Sequence, residues 1–173
     1  IRKPRRGVFV SEMTAKDVWE AYTLKATLYE MATELALDNI SRTQLVELES
    51  FVKKMEDCVF AEPVNLLGYQ EYHQEFHDRI LLISGNERLK KISDSIHLQV
   101  CRFSYKSLQD KAHLHASIRY HRRIIDALKK KNKSSACKLM KDHVLEALDV
   151  LLDMYDHGEE AANIHAFKVA ATE

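Results

Sequence analysis

Apolar positions recur at intervals of three and four along nearly the whole chain, the period of helices that each bury one face. The first stripe runs Val18, Ala21, Leu24, Leu28, Met31 and Leu35. Thr14 opens it, with Asp17 three residues on completing a rough capping box, and it ends near Asp38-Asn39. Ser41 caps a second stripe of Leu45, Leu48, Val52 and Met55. A third helix is expected to start at Glu62-Pro63, since proline suits a first turn, and it carries Leu66, Tyr69, His73, Phe76, Ile80 and Ile83, with His77 at the margin of that stripe. Ser84-Gly85-Asn86 ends it, because glycine and asparagine accept the left-handed conformation of a helix C-terminus. A fourth helix follows from about Glu87 through Leu89, Ile92, Ile96, Val100 and Phe103, with Arg102 close to its apolar face. After a break near Gln109 to Lys111, a fifth carries Leu114, Ile118, His121, Ile125 and Leu128. Asn132 interrupts a lysine run, and a sixth helix follows with Ala136, Met140, His143, Ala147, Val150 and Met154, closed by Gly158.

Composition agrees with an all-α fold. Only 4 Gly and 2 Pro in 173 residues leave little turn chemistry for a many-stranded sheet and suit long helices on short loops. A 46% hydrophobic share on a chain of this length can bury one core, so one helical domain is expected over residues 13–158, with a tail at 159–173. The first ten residues, IRKPRRGVFV, differ: they are basic, lack a helical period and contain the short β-type run Gly7-Val8-Phe9-Val10. The chain opens with Ile rather than Met, which suggests a segment upstream. Three cysteines, Cys58, Cys101 and Cys137, are odd in number and contain no CxxC, so they read as buried thiols in a reducing compartment. No apolar run approaches the 18 residues of a membrane span and no signal peptide is evident, so a cytoplasmic protein without membrane partners is expected.

Lys+Arg and Asp+Glu balance at 26 each, which leaves no basic footprint for nucleic acid beyond Arg2, Lys3, Arg5 and Arg6. The P-loop, GxGxxG, HExxH and GxSxG signatures are all missing, and an enzyme is not expected.

The histidines change the picture. His73 and His77 stand four residues apart on one helix, so both imidazoles leave the same face. Asn132 lies 11 residues after His121 and 11 before His143. In an antiparallel hairpin turning at Asn132 the two therefore lie level, each about 16 Å from the turn at ~1.5 Å per residue. A single histidine on an apolar stripe is ordinarily a packed, hydrogen-bonded core residue. Four that converge are more simply explained by a shared ion, and a nitrogen-only set suits Zn²⁺ or Ni²⁺. A ligand-free structural bundle and a metal-dependent hydrolase are the rival readings. Against the hydrolase, no recognised motif assigns a general base beside these histidines.

At this point the residues resemble a known family. Glu75-Phe76-His77, then Leu82-Ile83-Ser84-Gly85-Asn86, then the segment from His121 to Leu128 (HRRIIDAL), then Met140-Lys141-Asp142-His143 together resemble the FCD effector domain of GntR-type bacterial transcription regulators of the FadR subfamily. Pro4 to Val10 (PRRGVFV) is similar to the wing strand that ends the preceding winged helix-turn-helix domain, which makes residues 1–12 a wing remnant and linker. The resemblance implies an antiparallel bundle of six to seven helices that forms a homodimer. It also implies a bundle that binds a divalent metal and a small carboxylate effector, and so modulates DNA binding by the missing N-terminal domain. It places the family's three ligating histidines on His77, His121 and His143. The acidic ligand four residues before the first of these falls on His73, a departure that changes oxygen to nitrogen. The family's carboxylate-holding arginine on the first helix falls on Lys25, and Arg102 is the second cation assigned to the effector.

Overall fold

The computed structural model describes residues 14–155 and folds them into α1 (Ala15–Asn39), α2 (Arg42–Val59), α3 (Leu66–Ile83), α4 (Glu87–Ser107), α5 (Lys111–Lys129) and α6 (Lys133–Tyr155). No strand occurs among the described residues, so the all-α expectation holds. The wing remnant, Gly158 and the tail lie outside the described residues. Among those described, no helix is long and apolar enough to cross a membrane.

α2 with α3, and α5 with α6, form hairpins. α1 lies along α6 and also packs on α3 and α4, while α2 packs on α5. The core is built from Val18, Tyr22, Tyr29, Leu48, Met55, Tyr69, Phe76, Ile80, Ile124, Leu128, Met140 and Leu151, all nearly inaccessible. Two buried hydroxyl pairs tie helices together across it: Tyr22 to Ser104 at 3.1 Å joins α1 to α4, and Tyr69 donates to Ser117 at 2.8 Å to join α3 to α5.

Helix ends follow their local chemistry. Thr14 and Asp17 form a reciprocal capping box, as do Ser41 and Gln44. The third helix begins at Leu66 rather than at Pro63, a correction with a clear cause. The Asn65 side chain accepts from Gly68 N–H at 2.9 Å and so supplies the cap that Pro63, two residues earlier in the loop, cannot. Gly85 takes the expected left-handed conformation at φ 69°, and Asn86 caps α4.

The α5–α6 turn sets the register of the site. Asn132 N–H reaches Ala127 C=O at 3.0 Å and Lys131 N–H reaches Leu128 C=O at 3.0 Å, the paired bonds of a Schellman ending. The Asn132 side chain then accepts from Ser135 N–H at 3.1 Å, so one residue finishes α5 and starts α6.

Two expected stripes are wider or narrower than drawn. On α1, Val18 and Ala21 are buried as expected and Leu28 and Leu35 pack against the core, but Leu24 and Met31 are 44% and 45% exposed, and the buried face also carries Tyr22, Lys25, Ala26, Tyr29, Ala32 and Ala36. On α4, Ile92 is likewise exposed. Of the three cysteines only Cys58 is buried; Cys101 and Cys137 are half-buried.

Lys131 holds φ 51°, a left-handed conformation that costs a residue with a Cβ about 1 kcal/mol or more. Lys131→Gly is therefore expected to raise unfolding stability by about 0.5–1 kcal/mol in urea titrations. A loss of stability would contradict this account of the turn.

Candidate metal centre

His73 and His77 project from α3, His121 from α5 and His143 from α6. The i, i+4 spacing on α3 and the level placement about Asn132 bring all four rings together. Their exposures are 9%, 3%, 0% and 3%, so His77 is an interior residue rather than a marginal one. One ring nitrogen from each falls within 4.8 Å of every other. His73 Nε2 stands 3.3 Å from both His77 Nε2 and His143 Nε2. The His121 and His143 ring centroids are 4.4 Å apart.

Protonation follows from the partners. His121 Nδ1 lies 2.7 Å from the Ser117 carbonyl oxygen, which can only accept, so Nδ1 carries the proton and Nε2 keeps its lone pair. That Nε2 is buried and has no hydrogen-bond partner. The backbone of α5 thus orients His121 as a second partner orients a metal-ligating imidazole. Nδ1 of His77 and of His143 lack partners too, so only His121 has its tautomer set in this way. Burial, and then the neighbouring imidazoles, hold His73, His77 and His143 well below the usual histidine range, and burial brings His121 to about 4.

A cavity of about 20 Å³ adjoins the cluster. Such a volume takes an ordered water, and an organic acid would have to displace side chains to enter. Lys25 lines it and is 5% exposed. Its ammonium lies 5.5 Å from the Tyr22 ring centroid and 5.2 Å from that of Tyr29, and it has no ion pair among the described residues. Burial lowers the Lys25 pKa to about 8, with Asp78 opposing that shift. Arg102 stands elsewhere. It is exposed, packs over the Phe103 ring at 4.8 Å and is not among the cavity residues, which do include Lys25.

His113 was not singled out in the sequence, yet it is 4% exposed, lines the same cavity and has an unpartnered buried Nδ1. The signal was present: His113, Ser117 and His121 recur every fourth residue on one face of α5.

An interior nitrogen cluster inside a helical bundle thus shares the lining of one small cavity with a buried cation. Comparison with known proteins gives the class. The FCD domain pattern matches residues 20–146, and the chain belongs to that family, the C-terminal effector-binding and oligomerisation domains of GntR-family regulators. It is 28% identical over 160 residues to the HTH-type transcriptional regulator YdhC of Bacillus subtilis (strain 168), covering 90% of this chain and 69% of the relative. The fold matches E. coli McbR/YncC with a TM-score of 0.80 at 18% identity, over 89% of this chain and 77% of that one. Streptococcus agalactiae GntR matches with a TM-score of 0.59 at 26% identity, over 85% and 72%.

The depressed histidine pKa values carry a consequence for stability. The folded values lie below the unfolded value of 6.5, so as the pH falls the unfolded chain takes up protons first. Stability of metal-free protein is complete above that value and is lost progressively as the pH falls toward about 4, where His121 titrates in the folded state. His121 alone accounts for about 2 kcal/mol between pH 7.5 and pH 5. Urea unfolding at those two pH values checks this, and equal stability at both would contradict it.

Proposed function

We propose that His73, His77, His121 and His143 hold a divalent metal, zinc or nickel, and that a small carboxylate effector binds beside it with Lys25 balancing its charge. The observation that carries this reading is the convergence of four buried imidazoles on one point while a buried ammonium without an ion-pair partner lines the adjoining cavity. The two 3.3 Å nitrogen separations support an ion: ligands at about 2.0–2.1 Å in a tetrahedron stand about 3.3–3.4 Å apart. Nitrogen donors suit zinc and nickel and disfavour magnesium and calcium. When bound, the metal would draw in a carboxylate by its charge and would take one of its oxygens only by expanding from four ligands to five. Because His73 stands where the family has a carboxylate, the bound set would keep the ion's full charge, which strengthens attraction for an anion.

In this reading the signal passes to a winged-helix domain preceding residues 1–12, and DNA is contacted only through that domain. The chain works as a homodimer. Exposed Leu24 and Met31 on α1, with Ile92 and Leu98 on α4, supply apolar surface on two helices that pack together.

Metal analysis with a thermal-shift series tests the proposal. Zinc is expected to bind one per chain. His121→Ala or His143→Ala should abolish that binding, and His115→Ala should leave it intact. Small di- or hydroxycarboxylates should raise the melting temperature of metal-loaded protein only, since a ligand at about 100 times its Kd adds about 2.7 kcal/mol to the folded state. Lys25→Met should keep the metal, melt higher without ligand and lose the response to acids, because it removes an unpaired buried charge. Equal responses from loaded, stripped and Lys25→Met protein would overturn the proposal.

A further inference from the structure

The end of the bundle at which α1 begins carries an exposed apolar patch. Phe60, Val64 and Leu67 are 70%, 45% and 73% exposed, grouped around the turn that Asn65 N–H closes on Cys58 C=O at 2.9 Å. The neighbouring contacts fix its place. The Phe60 ring lies 6.3 Å from that of His115 near the start of α5. α6 runs back along α5 and antiparallel to α1, with Lys133 paired to Glu34 and Asp38 and Lys141 paired to Glu30, so α1, α3 and α5 all start at one end. α1 and α3 lie side by side in the same direction, with the Tyr29 and His77 rings 5.0 Å apart. Trp19 and Leu67 stand ten residues before these two, which puts the patch about one helix spacing, 8–10 Å, from the first turns of α1.

Charge selects the occupant. From Met55 to Asp78 the chain holds six carboxylates and no lysine or arginine. A second copy set patch against patch would bring these acids together, which like charges oppose. The 18 residues after Tyr155 carry four carboxylates against one lysine and are no better matched. The 13 residues before Thr14 carry Arg2, Lys3, Arg5 and Arg6 against Glu12 alone, followed by the apolar run Val8, Phe9 and Val10. We propose that Phe60, Val64 and Leu67 form the docking surface for residues 1–13, with the apolar run seated on the patch and the basic residues reaching exposed Glu62 and Glu71 on its rim. The inference rests on the reading above only in taking these residues for the end of a DNA-binding domain, and it needs neither metal nor effector. Reach is sufficient: Phe9 is five residues from Thr14, a span of up to about 17 Å, which exceeds one helix spacing. Burying exposed apolar side chains supplies the attraction, and the opposite charges set the orientation. α3 carries Leu67 and, six residues on, His73, so a shift of that helix at the histidine cluster would move the docking surface with it.

The test is trypsin digestion of the 173-residue chain without metal or DNA, with cleavage after Arg5 and Arg6 followed by mass spectrometry. A docked segment is cut only when it lifts off, so cleavage is expected to be about tenfold slower than in a synthetic peptide of residues 1–13. Phe60→Ser and Leu67→Ser, at positions already exposed and outside the core, should each bring the rate most of the way back to that of the peptide. Glu62→Gln combined with Glu71→Gln should do so in part. Leu98→Ser, at a site 75% exposed on α4, should leave the protection intact. A wild-type rate equal to that of the peptide would overturn the proposal, as would protection that survives both patch substitutions or is lost equally in Leu98→Ser. Because the measurement involves no ion and no acid, its failure would leave the metal and carboxylate reading standing, and the loss of that reading would leave this one.

Discussion

The bundle is organised around the burial of four imidazoles at one point. Each is a polar group withdrawn from water: apart from the His121 bond to the Ser117 carbonyl, Nε2 of His73 meets those of His77 and His143, and three further ring nitrogens have no partner. Such an arrangement is unfavourable on its own terms and becomes favourable when an ion gives all four lone pairs a common partner. The backbone features that matter most are the ones that hold the rings in place. The Asn132 turn keeps His121 and His143 level, the Tyr69–Ser117 bond fixes α3 against α5, and α1 closes the assembly with Lys25. Metal binding and folding would therefore be linked, the ion acting as an internal staple for three helices.

The same constraint explains how a sensing domain can work without catalytic groups. With a metal bound, a neutral donor set would leave positive charge at the centre and Lys25 would add more, while the wall at Ser104, Ser107 and His113 contributes polarity without charge. A small anion is the complement of that distribution. The cavity is too small to receive one without movement, and Lys25, on a flexible stem, is the side chain best able to give way. Because α1 carries both Lys25 and the exposed Leu24 and Met31, an anion drawn to the buried face would act on the helix that also presents apolar surface outward.

Much of the site was legible because it depends on spacing. The four-residue step from His73 to His77, and equal distances either side of Asn132, translate directly into geometry once helices are assumed. What spacing cannot show is which of two candidate faces turns inward. On α1 the large aliphatics Leu24 and Met31 looked like the core, but the face turned inward carries alanines and the two tyrosines on either side of Lys25. Lys25 itself came from the family resemblance and not from its surroundings in the chain. Arg102 sits beside buried Phe103 and yet faces outward, a rotation of one residue that periodicity does not resolve. His113 was passed over because its partner, His121, is two turns away with Ser117 between, a stripe that reads as polar until it is seen to be interior. The start of α3 shows a competition between signals, with the Asn65 side chain overriding the proline.

The central claim is that these four histidines share one ion, and X-ray absorption on protein loaded with one equivalent of zinc tests it most directly. The expected spectrum has four imidazole nitrogens at about 2.0–2.1 Å. A shell of oxygen donors, or one with two or fewer imidazoles, would contradict it and return the cluster to an unliganded part of the core.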